Sequence, residues 1–130
     1  MEASPPPSHF DLLLGTEWLE DDPEGARVRL AVREELLQPV GVAHGGVFST
    51  LVESVCSHAT NEAVREDGLV AMGQSLSISF IRPIAEGTID VTARARHRGR
   101  TTWVWDAEVS DADGRLCAVA QMTVAVRPRR

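Results

Sequence analysis

The sequence contains no lysine and no tyrosine, and all thirteen of its basic residues are arginine. A lysine Schiff base and a lysine general base are thereby excluded. Cysteine is scarce as well. Cys56 and Cys117 are the only two and form no Cys-x-x-Cys pair, so a disulfide framework is not indicated. Small and apolar neighbours flank each of them, which suits buried thiols. No apolar run approaches the length of a membrane-spanning helix. The opening Met-Glu-Ala-Ser-Pro-Pro-Pro-Ser lacks the basic and apolar regions of a signal peptide. A cytoplasmic protein with no membrane partner is the expectation. Positive charge is also in deficit: the net charge is −6, which disfavours general nucleic-acid binding.

What is present suits one domain. A chain of 130 residues with 43% hydrophobic and 25% charged residues is ordinary for a single globular core. The Pro/Ser-rich residues 1–8 read as a disordered segment and residues 9–127 as the domain. His9 to Leu14 reads as a short helix, capped by Ser8 and stopped by Gly15, with Phe10, Leu13 and Leu14 docked on a sheet edge. Glu17 to Glu20 and Ala26 to Val32 read as a hairpin around a turn at Asp21 to Gly25, with Val28, Leu30 and Val32 facing one way. After Asp67-Gly68 come four strands: Leu69 to Ile81, Thr88 to Arg98, Thr101 to Ser110 and Leu116 to Val126. Trp103, Trp105, Ala107 and Val109 share one face of the third. Arg94, Arg96 and Arg98 share one face of the second. The final Arg-Pro-Arg-Arg reads as a solvated tail. Strands in succession beside one long helix imply an α+β fold, an antiparallel sheet wrapped around that helix.

The chain is organised around residues 38–61. Pro39 and Gly41 mark a loop, and Gly45-Gly46 permits a tight turn into a helix predicted from about Gly45 to Glu66. Phe48, Leu51, Val52, Val55 and Ala59 form its apolar stripe. Ser49, Glu53, Ser57 and Thr60 lie opposite, and Glu53 is the only formal charge from Gly45 to Ser57. So few charges predict a helix covered on most sides, its back face against something other than bulk water. A helix N-terminus has free N–H groups and a positive dipole end, and two glycines leave those groups open to an oxyanion. Glu53 falls roughly 10 to 12 Å further along the axis. If Glu53 and Gly45 share a site, they come from two helices and hence from two subunits.

Gln38, His44-Gly45-Gly46, Glu53 and Ser57 together resemble the signature of hotdog-fold acyl-CoA thioesterases. The phenylacetate-pathway and 4-hydroxybenzoyl-CoA type that uses a helix Glu is the nearest in pattern. Three spacings agree jointly: six residues from Gln38 to His44, nine from His44 to Glu53, four from Glu53 to Ser57. The resemblance implies the hotdog fold over essentially the whole chain, with domains paired edge to edge as a homodimer or homotetramer and active sites at the subunit interface. It implies that the Gly45 N–H holds the thioester oxygen. Glu53 is then the nucleophile or the general base on water. Gln38 helps position the thioester or a water, Ser57 orients the carboxylate or a water, and His44 bonds the thioester region or fixes the loop.

Read residue by residue, Ser57 is also a small packing residue, Gln38 a surface glutamine and His44 a structural histidine. The resemblance places part of the coenzyme A tail near the Gly99-Arg100-Thr101 turn, while Asp106 and Glu108 stand ready to pair with Arg94 and Arg96 across the sheet. Arg82-Pro83 also follows the family's pattern. His44, Glu53 and His58 lack a known metal-ligand spacing, and Cys56 has no base placed to activate it. No metal or redox cofactor is implied; coenzyme A is part of the substrate. A hotdog enoyl-CoA hydratase and a non-catalytic acyl-CoA-binding domain are the competing readings.

Overall fold

A computed structural model describes residues 8–19 and 25–130. The expected turn at Asp21 to Gly25 and all but Ser8 of the expected disordered segment lie outside these residues, Gly25 apart. Helix α1 (His9–Leu14) starts where the Ser8 hydroxyl accepts from the Asp11 N–H and stops at Gly15 in a left-handed conformation, φ 85°. Strands β1 (Glu17–Trp18) and β2 (Gly25–Ala31) form the antiparallel hairpin. After a 3-10 turn at Glu34–Leu36 comes the long helix α2 (Gly45–Val64), which tightens into a second 3-10 turn at Arg65–Asp67. Four strands complete the chain: β3 (Leu69–Phe80), β4 (Thr88–Arg98), β5 (Thr102–Ser110) and β6 (Leu116–Pro128).

The strands form one six-stranded antiparallel sheet in the order β1-β2-β4-β5-β6-β3. Sequence order therefore fails at two places. The hairpin joins β4, and β3 crosses to the far edge beside β6. The sheet curls around α2, which touches every strand from β2 to β6. This is the hotdog arrangement. Phe48, Leu51, Val52 and Val55 of the helix stripe are buried against Val28, Leu30, Ile89, Val91, Val109 and Val124 of the inner sheet face. Fully burying side chains of this size stabilises by about 1.5–3 kcal/mol each before entropy is counted.

Several expectations need correction. Thr60 is not on an outer face: it is fully buried, accepts from the Trp105 indole at 2.9 Å and donates to the Cys56 carbonyl at 2.7 Å. A hydroxyl with both bonds made is cheap to bury. Helix α1 turns Asp11 and Leu14 inward and leaves Phe10 and Leu13 exposed, because Asp11 accepts a 2.8 Å hydrogen bond from Ser54 of α2. The back of α2 is thus covered by α1 at Ser54, but Glu53 is exposed in the single chain. A bulge between Ala95 and His97 shifts the β4 register. One extra residue flips every later side chain to the other face. Arg98 accordingly pairs with Trp103 and lays its guanidinium over that ring, 5.5 Å from the centroid, while Arg96 pairs with Asp106 at 3.0 Å. The tail is partly tied down, since Pro128 still pairs with Leu69 and Arg127 donates to the Thr101 carbonyl at 2.7 Å.

Candidate active site

The chain approaches α2 through a loop closed first by its own backbone and then tied to the segment after β3. The Gln38 N–H donates to the Val42 carbonyl at 2.8 Å, and the Gly41 N–H donates back to the Gln38 carbonyl at 2.9 Å. Gly41 sits at φ 84°, a region that glycine enters without steric cost. The Ala43 N–H then donates to Ile84 and the His44 N–H to Leu36, at 2.8 and 3.0 Å. These bonds bring the start of α2 and the segment after β3 together. His44 is the residue before the first turn, exposed, and its side chain makes no capping bond. The Val47 N–H donates to the His44 carbonyl at 3.0 Å, and no side chain caps the N–H groups before it.

A cavity of about 390 Å³ opens at this point, and Gln38, Gly45, Phe48, Phe80 and Arg82 are among the residues lining it. Three of the residues singled out in the sequence, Gln38, Gly45 and Arg82, thus meet around one space. Arg82 is held by its N–H, which donates to the Cys117 carbonyl at 3.1 Å. The Phe80 ring lies directly against Gly45. A Cβ on Gly45 would come within 2.7 and 2.8 Å of Phe80 Cζ and Cε1, well inside ordinary contact, whereas one on Gly46 would meet nothing within 4 Å. A side chain at Gly45 would require the Phe80 ring to shift. In the sequence Phe80 is one residue of the expected strand Leu69 to Ile81; that this strand lies at the far edge, with Phe80 opposite Ala118, depends on long-range pairing.

Glu53 does not reach this cavity. It stands eight residues along α2 from Gly45, about 12 Å of helix rise. Its carboxylate lies instead over Gly73 of β3, and a Cβ on Gly73 would be 3.0 Å from Glu53 Oε2. Ser57 follows one turn later, its Oγ buried without a hydrogen-bond partner. Asn61 fastens this part of α2 to β3. Its side-chain amide accepts from the Ala71 N–H at 2.7 Å and donates to the Ala71 carbonyl at 3.0 Å. Neither Gly73 nor Asn61 carried a signal in the sequence.

Gly99, Arg100 and Thr101 are at the other end of the sheet. The strand after their turn begins with Thr102 opposite Ala125 of β6, whereas Phe80 stands opposite Ala118. Seven residues of strand separate those partners, about 23 Å. The turn is tight: the Gly99 N–H donates to the Thr102 carbonyl at 2.9 Å, and a Cβ on Gly99 would be 2.7 Å from that same oxygen. The Thr101 carbonyl accepts from the Val126 N–H at 2.9 Å as well as from Arg127. Arg100 is exposed. In one chain, then, the cavity at Gly45, the carboxylate of Glu53 and the arginine turn are three separate places.

Cys56 is fully buried, and burial pushes its thiol up to about 12. It is a neutral packing group and no nucleophile. No group of three or more His, Cys, Asp or Glu residues among the described residues is arranged to hold a metal ion. No helix among them is long and apolar enough to cross a membrane.

The model of the thioesterase superfamily matches residues 40–118. The chain is 30% identical over 117 residues to the 1,4-dihydroxy-2-naphthoyl-CoA hydrolase of Listeria monocytogenes, covering 90% of this chain and 94% of that one. Among solved structures it is similar to a mutant form of the thioesterase PA1618 from Pseudomonas aeruginosa. That match has a TM-score of 0.88 and 33% identity, over 92% of this chain and 86% of that one. It is also similar to the PaaI protein of the Escherichia coli phenylacetic acid degradation operon, with a TM-score of 0.81 and 27% identity over 91% and 83% of the two chains.

Proposed function

The chain belongs to the thioesterase superfamily, and from that premise we propose that it hydrolyses an acyl-CoA thioester to the free acid and coenzyme A. The observation that carries this reading is the cavity that gathers Gln38, Gly45 and Arg82 at the open end of α2. The Gly45 N–H takes the thioester carbonyl oxygen and stabilises the negative charge that grows on it. Such a donor contributes most when, as here, the helix dipole adds to it and no side chain competes. Gln38 and His44 flank the same point and orient the thioester or a water. Arg82 lines the cavity and brings a positive charge to it.

The nucleophile or general base comes from a second copy of the chain. Glu53 cannot act on a carbonyl held by Gly45 of its own helix across about 12 Å. The carboxylate is exposed in the single chain, and β3, which lies under it, is an edge strand. A homodimer that sets two α2 helices side by side, alone or within a homotetramer, brings Glu53 of one copy to Gly45 of the other. There it attacks the thioester carbon or takes a proton from the attacking water, and the orphaned Ser57 hydroxyl orients it. The turn at Gly99, Arg100 and Thr101 receives part of the coenzyme A tail, its exposed Arg100 offering a positive charge to a phosphate.

Thiol release from a panel of short, medium, long and aryl-acetyl CoA thioesters tests this reading. Turnover that collapses in Glu53→Gln, while the variant still oligomerises and binds coenzyme A, supports it. Absence of turnover across the panel in the wild type sinks it. Equal turnover in both proteins removes Glu53 from the mechanism.

A further inference from the structure

Gly73 lies near the middle of β3, where the pairing with β6 slips between Gly73 and Ser75. Its φ is not in the left-handed region, so the backbone does not require glycine there. Space does. A Cβ would sit 3.0 Å from Glu53 Oε2 and 2.5 Å from Met122 Cε. The methionine end is flexible and yields cheaply. The helix that carries Glu53 cannot simply lift away, because it is tied to the same strand two residues earlier by both amide atoms of Asn61, so the carboxylate itself must move.

We propose that Gly73 and Asn61 are positioning residues for the Glu53 carboxylate. Asn61 fixes how α2 lies over β3, and Gly73 leaves the hollow in which the carboxylate rests. The inference builds on Glu53 as the reacting group. Neither residue touches substrate; each acts through where it lets one carboxylate stand.

The test is Gly73→Ala combined with Met122→Leu, which withdraws the ε-methyl group and leaves the contact with Glu53; Met122→Leu alone is the reference. We expect kcat to fall about 10- to 100-fold with KM within about twofold, as for a displaced reacting group. Glu53→Asp, which draws the carboxylate back by one methylene, restores part of kcat in the Gly73→Ala background and lowers it in the wild type. Asn61→Ala adds no atom near Glu53 and serves if the first variant does not fold. Its expected result is a fall in kcat of about tenfold at constant KM. Unchanged kcat in a folded variant overturns the proposal. An active Glu53→Gln overturns it together with the reading it rests on. An inactive Glu53→Gln beside a fully active Gly73→Ala overturns the positioning proposal alone.

Discussion

Removing the Gly45 N–H without disturbing the helix is a demanding test of the oxyanion role, and the structure makes it feasible. Gly45 is the first residue of α2. Proline is well tolerated at that position, since its missing N–H has no intrahelical partner. The residue before a proline must be extended, and His44 already is, at φ −59° and ψ 139°. One obstacle is steric. The proline ring needs the Cβ position that lies 2.7 Å from Phe80 Cζ. The variant to make is therefore Gly45→Pro in a Phe80→Ala background. Phe80 is 56% exposed, so its removal costs little of the core. Loss of one preorganised oxyanion donor costs about 2.7–4 kcal/mol, a fall of roughly 10²–10³ in kcat relative to Phe80→Ala alone. Gly45→Ala/Phe80→Ala keeps the N–H and adds a methyl group, so it separates the donor from its surroundings and should remain within about fivefold of Phe80→Ala. Thiol release reads the rate, and thermal denaturation checks that all three proteins fold. If the proline and alanine variants lose the same activity, or neither loses any, the N–H is not the donor.

Other consequences concern the frame around the site. Thr60→Val leaves the Trp105 indole N–H buried without an acceptor, and a loss of about 1–3 kcal/mol in a urea titration is expected; a loss under about 0.5 kcal/mol refutes it. The Arg115 N–H, aided by its guanidinium and by the Asp113 N–H, holds the Asp111 carboxyl below the usual range. A depressed carboxyl adds stability above its ordinary pKa and loses it as pH falls through the folded value. Asp111→Asn should lower Tm at pH 7, and the gap from wild type should narrow below about pH 4; a gap independent of pH contradicts the assignment. Both thiols are buried and burial raises both, Cys56 to about 12. A thiol-reactive dye at pH 8 should find neither in the native protein and both in denaturant, so the protein adds nothing to the thiol-release signal; rapid native labelling refutes it.

Local pattern made most elements legible. The stripe on α2 and the alternation on β2 and β5 are short-range features, and the burial of Val28, Leu51, Val55 and Trp105 follows from them. What failed was set at long range. Thr60 looks like an outer residue until β5 brings Trp105 to it. Arg98 looks like a neighbour of Arg94 and Arg96 until one bulged residue turns it onto Trp103. Phe10 and Leu13 look like docking residues until Ser54 bonds Asp11 and turns that side of α1 inward. The site divides the same way. Gln38, Gly45 and Arg82 meet, because the first two flank one loop and the third follows the strand packed beside α2. Phe80 and Gly73 carry no local signal, since their importance lies in what a missing or present side chain meets across the fold.

The separation of Gly45 from Glu53 along one helix leads to a test that needs no structure of an oligomer. If each site takes Gly45 from one copy and Glu53 from the other, two differently crippled chains must rescue each other. Glu53→Gln supplies an intact Gly45, and Gly45→Pro/Phe80→Ala supplies an intact Glu53. Random two-fold pairing makes half of the dimers mixed. Each mixed dimer has one site with both intact groups and one with neither, so coexpression should recover about a quarter of the sites. The recovered sites carry the Phe80 of the Glu53→Gln chain beside Gly45, so their rate per site is compared with wild type. Recovery should appear only when the chains fold together, and not when separately purified dimers that do not exchange are mixed. Activity no greater than the sum of the two parents would mean that both groups act from one chain, or that one of them does not act at all.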